Sequence, residues 1–426
     1  MTHTDTPGDL QGDPRDARDS ALRVPPTWRE ARDGARQAPA TWRTLPGTVR
    51  ILVIARAVNR LGAFTLSFLA VVLTVELGAT VAQAGLVMAG FGVATIPSRM
   101  FGGHLADRLG RKRTIILGLT GCAVGQTWIA LASTLWSAVM AAILLGLMFE
   151  IYEPPSQAVI ADVTSPEDRP TAYGLLGAAM AAAAVAAGVL AAAVSHWDLR
   201  WLFAIDAASC SACALLLAIA LPADRFSFQG KARVGRAEGW KDGRLLLLFA
   251  VGTVSATVFM ALMLGLPLTL IERGLPSYSI GLILAISALV LVAAQPLQRT
   301  QRIRNLDNFQ AMTLGYLLLT AGLVINAVAT NLPVFIAAAV LWSIGDLFLL
   351  SRAFTIVAGI APEHARGRYL AIYGLSWGIA TAIAPLGATQ LLTHAGPALL
   401  WLTCALAATA LAALQPALRR RITPNI

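Results

Sequence analysis

The chain has 426 residues, of which 57% are hydrophobic and only 13% charged, too apolar for a soluble domain of this length to cover its own surface. A formal net charge of +10 would point to nucleic acid on a soluble protein, but here the basic residues are concentrated in loops between long apolar runs. Composition and charge placement together exclude the soluble and nucleic-acid-binding classes and leave a multi-pass membrane protein.

Residues 1–47, rich in Asp, Arg, Pro and Gly, have no hydrophobic core and read as a disordered cytoplasmic tail rather than a cleavable signal peptide. Twelve apolar windows follow, near 50–75, 81–104, 114–133, 136–158, 171–194, 200–221, 244–271, 278–297, 309–329, 332–357, 368–391 and 396–417. About 20 apolar residues cross a hydrocarbon core of about 30 Å, so each window predicts one helical span. The fold class is therefore all-α with twelve transmembrane helices. The Ala- and Gly-rich composition suits close helix packing and shows no barrel-like alternation.

Positive charge clusters in alternate loops. Arg108, Arg111, Lys112 and Arg113 follow span two, a basic segment follows span six, Arg299, Arg302 and Arg304 follow span eight, and Arg419 to Arg421 end the chain, whereas the intervening loops on the other side carry only Arg200 and Arg273. Basic loops stay cytoplasmic, which predicts both termini inside and an even number of spans. Cys122, Cys210, Cys213 and Cys404 all fall inside spans, and the Cys-x-x-Cys of Cys210 and Cys213 has no second ligand pair, so all four read as small packing residues.

The chain repeats itself. Pro-Glu recurs just beyond spans four and ten, and Pro362 follows Pro166 by 362 − 166 = 196 residues, the same offset as Asp346 from Glu150, 346 − 150 = 196. Two six-span halves, 48–221 and 244–418, joined by a cytoplasmic linker at 222–243 and followed by a tail at 419–426, match the internal symmetry of transporters, whose substrate site lies where the halves meet.

The loop after span two reads Gly103-x-Leu105-Ala106-Asp107-Arg108-x-Gly110-Arg111-Lys112. With twelve spans and an internal repeat, this motif resembles the major facilitator superfamily over about residues 48–418. "RAVNRLGAF" in span one, "IADVTSPEDR" after span four and "LRWLFAIDA" in span six are closest to its twelve-span drug:proton antiporter branch. The resemblance implies two pseudo-symmetric six-helix halves. It also implies a cytoplasmic latch of Gly103, Leu105, Asp107, Arg108, Gly110, Arg111, Lys112, Asp162 and Arg169, in which Asp107 docks near the start of span eleven and Arg108 or Arg111 pairs with Asp162. Gly103 and Gly110 allow close approach and a tight turn. In the second half the equivalent loop has Arg299 in the aspartate's place, and span five lacks the Gly-Pro kink usual among the antiporters, keeping Gly174, Gly177 and Gly188 for close packing.

Ionisable residues at mid-membrane depth are costly unless they face water or a partner, and each is a functional candidate. The resemblance implies that spans one, four, seven and ten line the central cavity. Arg56 and Arg60, four residues apart on one face of span one, put Arg60 about 15 Å from the inner end at about 1.5 Å per residue. Glu150 and Glu153, three apart in span four with Gln157 one turn on, and Asp346 in span ten complete the set. Glu150 is the first candidate proton carrier and Asp346 the second; Arg56, Arg60, Glu153 and Gln157 are candidate cavity residues. An alternative pairs Glu150 with Arg60 as a structural ion pair, lets Arg56, Glu153, Arg99 and Arg352 extend toward the cytoplasmic face, and makes Asp206 a bridge between helices. Candidate apolar lining residues are Phe64, Phe68, Met148, Phe149, Tyr152, Phe259, Met263, Trp342 and Trp377.

The expected function is proton-coupled export of a small amphipathic compound by alternating access, with proton-coupled uptake of a sugar, organic acid or other nutrient as the alternative and a non-transporting receptor as the contrasting class. No enzyme is expected: there is no phosphate-cradling Gly-x-x-x-x-Gly-Lys and no paired metal ligands. No cofactor is expected beyond the proton gradient. The partners are a small-molecule substrate, protons and the lipid bilayer, without nucleic acid, for a chain that works as a monomer. Only Lys112, Lys231 and Lys241 among the 33 basic residues are lysine, a bias of GC-rich bacterial genomes, which places the chain in a bacterial cytoplasmic membrane.

Overall fold

The computed structural model describes residue 42 and residues 45–165, 168–222, 239–362 and 365–422. Almost all of the expected N-terminal tail, the linker at 223–238 and the repeat marker Pro166 lie outside the described residues. Helices α1 (Gly47–Leu61) and α2 (Thr65–Val75) form span one, α3 (Val81–Leu109) span two, α4 (Arg111–Leu131) span three, and α5 (Leu135–Phe149) with α6 (Glu153–Val163) span four. Spans five and six are α7 (Arg169–Val194) and α8 (Arg200–Ala220). In the second half α9 (Gly243–Glu272) is span seven, α10 (Tyr278–Ala293) span eight, α11 (Gln301–Arg304) a short loop helix, α12 (Asn308–Val328) span nine and α13 (Leu332–Ile360) span ten. The last element, α14 (Arg366–Ile422), is two spans in one, because Gly396 at φ 76° and ψ 174° leaves the helical region just before Pro397. Ten further spans and this divided helix make twelve, as composition predicts.

Local chemistry sets the ends. Thr80 and Asp307 open spans two and nine with capping boxes to Gln83 and Gln310. Gly110, at φ 89°, turns span two directly into span three, a left-handed conformation that favours glycine. Span twelve does not stop near residue 417: the helix runs to Ile422 and carries Arg419 within 3.1 Å of Asp307, so the expected tail is helical where described.

Two spans of the first half are broken in mid-membrane. Span four stops at Phe149 and restarts at Glu153, because Pro154 and Pro155 have no N–H to offer the preceding turn and fit only as the opening of a new helix. Span one stops at Leu61 and restarts at Thr65 around Gly62, whose missing Cβ lets it press on the Asp206 backbone in span six.

The halves meet through small residues. Gly92 of span two lies on the Thr381 carbonyl of span eleven and Gly85 on Thr389, while Gly188 of span five faces the Ala285 backbone of span eight and Gly281 faces Ala191 and Ala192. In lipid, backbone approach of this kind replaces the hydrophobic effect as the source of packing energy. These contacts gather in the middle of the bundle and at the end remote from the basic loops, where His196 also stacks on Tyr278 at 4.6 Å. Likewise α2, the remote half of span one, packs on span seven, whereas α1 packs within its own half on spans five and six. Toward the basic end Gly174, Gly177, Gly359 and Gly374 have open space before them. Among the described residues, the small-residue contacts between the halves thus lie in the middle of the bundle and at the remote end. Of the span-five glycines expected to pack closely, only Gly188 does.

Candidate functional site

Charged side chains of spans one, two and four lie together beside the break in span four. Arg56 forms an ion pair with Glu153, with side chains 13% and 27% exposed. The guanidinium lies 5.0 Å from the Tyr152 ring centroid, and Gln157 donates to the second Glu153 oxygen at 3.0 Å. The Tyr152 hydroxyl donates to Asn59 at 3.2 Å. Arg56, Glu153 and Gln157 therefore form one paired group between spans one and four, which offsets part of the cost of placing charge at this depth.

Arg60 is exposed and lies in electrostatic range of Arg56 and Tyr152. The expected pairing of Glu150 with Arg60 is not formed. Glu150 faces Arg99 of span two at 3.7 Å, the side chains being 26% and 48% exposed, and its backbone N–H donates to Ser98 Oγ at 3.0 Å. The break in span four explains the change of partner: Glu150 occupies the C-cap of α5, so its side chain leaves at an angle that an unbroken helix would not give.

Asp346 in span ten has no hydrogen bond or ion pair among the described residues and lies near Tyr316 of span nine. Of the expected lining residues, Phe64, Phe68 and Trp342 are buried core, Phe149 packs edge-on against Phe91, and Met148 fills the space at Gly121. Phe259 and Trp377, with centroids 5.4 Å apart and both half-buried, remain as an aromatic pair in the second half.

The loop motif is arranged as follows. Arg111 forms an ion pair with Asp162 and donates to the Ala158 carbonyl at 3.1 Å, tying the start of span three to the end of span four. Lys112 donates to the Leu221 carbonyl at 2.5 Å, closing the end of span six. Asp107, Arg108 and Arg169 are exposed, and Leu105 is half-buried. Close approach belongs not to Gly103, which faces open space, but to its neighbour Gly102, which lies on the Ile151 backbone at the break in span four. The side chain of Arg299 lies outside the described residues.

A family profile described as Major Facilitator Superfamily matches residues 52–305 and 307–425. The chain belongs to that superfamily and is a multi-pass membrane transporter. The multidrug resistance protein MdtH of Cronobacter sakazakii is 27% identical over 290 residues, covering 67% of this chain and 72% of that protein. The MFS-type transporter YqjV of Bacillus subtilis is 26% identical over 329 residues, covering 74% and 78%. Among solved structures, the peptide transporter POT in complex with sulfate superimposes with a TM-score of 0.73 at 14% identity, covering 93% of this chain and 99% of that one. A bacterial homologue of the lysosomal transporter Spinster, in an inward-facing and occupied conformation, gives 0.64 at 14% identity, covering 91% and 98%. At these identities the structural likeness concerns the fold alone.

The sequence reading missed the two helix breaks. Pro154-Pro155 beside Glu153 was the available signal for one; for the other, Gly62 alone is too common a residue in membrane helices to stand out.

Proposed function

We propose that this transporter exports a small amphipathic compound, neutral or partly anionic, in exchange for protons, with the basic end and both termini in the bacterial cytoplasm. The concentration of Arg and Lys in the loops of one end supports that orientation. The similarity to MdtH supports a drug or metabolite as cargo.

One observation carries the coupling: Glu150, at a helix break in the cavity wall, faces Arg99 at 3.7 Å with both side chains partly exposed. A pair of this exposure is worth about 1 kcal/mol or less, weak enough for a proton or a ligand to displace. Protonation of Glu150 cancels its hold on Arg99, and an anionic or dipolar group arriving at Arg99 and Arg60 favours release of the proton. Substrate and proton thus compete through one carboxylate, which antiport requires. Asp346 is the second carrier. The Arg111–Asp162 pair braces the loop between spans two and three against the end of span four.

Proteoliposomes carrying a pH-sensitive dye test this reading, with a panel of lipophilic compounds added on one side to wild type and Glu150→Gln. Compound-dependent proton flux in wild type, reduced at least about tenfold in the variant, supports it. Flux that survives in Glu150→Gln moves the proton to Asp346, and transport without proton flux removes coupling altogether.

A further inference from the structure

Behind the cavity wall lies a second carboxyl site that the export cycle above does not use. Asp206 of span six is only 4% exposed. Its Oδ2 receives Gln126 Nε2 of span three at 2.6 Å and the Thr65 hydroxyl of span one at 3.4 Å, and its Oδ1 lies 3.7 Å from Cys210 Sγ. Gln126 Nε2 also donates to Thr65 Oγ1 at 2.5 Å, while Gln126 Oε1 is buried with no partner. The groups facing Asp206 are Phe64 and Thr65 from span one, Cys122 and Gln126 from span three, and Ser209, Cys210 and Cys213 from span six. Among the described residues none of these is a cation. A carboxylate sealed from water without a cation is costly, by several kcal/mol, and the neutral acid escapes that cost.

We propose that Asp206 is a proton-binding site and that its occupancy is coupled to closure of the remote end through α2. The cluster accommodates either protonation state. As drawn, the Gln126 amide and Thr65 hydroxyl donate to the carboxylate; with the amide turned over, the now unpartnered Oε1 accepts a hydrogen bond from the neutral Asp206 O–H. The proton arrives from water at the remote end when that end is open and leaves to water at the basic end, with no other bond made or broken.

The coupling follows from the break in span one. Helix α2 begins at Thr65, which donates its hydroxyl to Asp206, so the N-terminal end of α2, where N–H groups lack helical partners, lies at the carboxylate. The same half-helix packs on span seven of the other half. A charged Asp206 holds the end of α2 toward span six, a neutral one relaxes that hold, and α2 carries the difference to the interface that closes the remote end. Cys210 accepts from Asn59 Nδ2 at 3.2 Å, and Asn59 in turn accepts from Tyr152, which joins the cluster to Arg56 and Glu153 in the cavity wall.

The inference rests on proton-coupled transport, and its test is kept separate from transport. Infrared absorption of the full chain in nanodiscs, recorded against pH in water and in deuterium oxide, reads buried protonated carboxyl groups directly. The expected result is a buried protonated-carboxyl component that is lost in Asp206→Asn, displaced in frequency in Gln126→Leu and retained in Glu150→Gln. If no component is lost in Asp206→Asn, the site does not bind a proton; should that variant fail to reach the membrane, absence of any displacement in Gln126→Leu overturns the proposal equally. Spin labels at Val75→Cys and Glu272→Cys, at the remote ends of α2 and span seven, test the coupling: a pH-dependent distance is expected, and its persistence in Asp206→Asn refutes the link. Failure of wild type to move protons with any compound would sink the export reading and leave the infrared result standing.

Discussion

The two halves share a plan and differ in its execution. In the first half the spans that carry the central charges, one and four, are each broken in mid-membrane, and every break brings backbone ends and side chains to a carboxylate: Gly62 to Thr65 at Asp206, Glu150 to Tyr152 at Glu150 itself. In the second half the corresponding spans seven and ten run through as α9 and α13, and Asp346 sits in a continuous helix without an ion pair among the described residues. The same repeat offset thus places one acid at a helix break and the other inside an unbroken helix. Discontinuous helices near the midplane supply polar ends for binding and a place to bend, whereas continuous ones transmit motion as rigid rods. The comparison places both mid-membrane breaks, and the ion pairs beside one of them, in the first half.

The largest expected effect removes the contact on which both halves pivot. Gly188→Leu places a side chain where the Ala285 backbone now lies, and overpacking of about 1–3 kcal/mol shifts the balance away from the closed remote end by roughly ten- to a hundredfold. Accessibility of a single cysteine near Tyr278 to a membrane-impermeant reagent measures this; unchanged accessibility would show that spans five and eight are not the seal.

Next comes the charged group on the first half's cavity wall. Arg56→Ala leaves Glu153 without its cation, with an expected loss of about 2 kcal/mol, read as a lower melting temperature in detergent. Arg99→Ala, whose partner is more exposed, should lose less than about 1 kcal/mol while altering the pH dependence of transport. Equal losses would mean that the two pairs are alike and that the weak, switchable character given to Glu150 is misplaced.

Mending the break makes the first half more like the second. Pro154→Ala with Pro155→Ala restores two N–H donors and favours a continuous span four, so stability should change by no more than about 1 kcal/mol while transport falls about tenfold as Glu150 is re-aimed. Transport at the wild-type rate would show that the break is dispensable.

The smallest effect lies at the basic end of span seven. Asp242 caps α9 at the Arg244 N–H, 2.9 Å, and accepts from the Tyr369 hydroxyl of span eleven at 3.0 Å. Burial pushes its carboxyl up, but the Arg244 N–H, the Tyr369 hydroxyl and the Arg244 charge outweigh that and hold it below the usual carboxylate range. A folded-state value below the unfolded one gives stability that is present above the ordinary aspartate range and lost as pH falls through the depressed value. Melting curves from neutral to acid pH should therefore fall less steeply in Asp242→Asn than in wild type.

Much of this architecture was legible in the chain. Windows of apolar residues, basic loops and the 196-residue offset between Glu150 and Asp346 reveal twelve spans in two halves, because the thickness and polarity of a bilayer constrain sequence directly. The pairing of Arg111 with Asp162 was legible through the resemblance carried by the loop after span two, Gly103 to Lys112. The partners of the membrane charges could not be read. Arg60 and Arg99 are both plausible neighbours of Glu150 by depth, and only the bend at Pro154-Pro155 turns the carboxylate toward span two.

By itself, then, the sequence determined which segments cross the membrane, where the chain repeats and which few ionisable residues must be accommodated, since burying a charge or leaving a backbone group unsatisfied in lipid carries a cost that composition alone reveals. The tertiary structure decided which charges pair, which glycines carry helix contacts and that Asp206 meets Gln126, Thr65 and the broken end of span one. Those outcomes depend on helix rotation and on the angle at each break, which place residues 61 and 141 positions from their partners within hydrogen-bond reach.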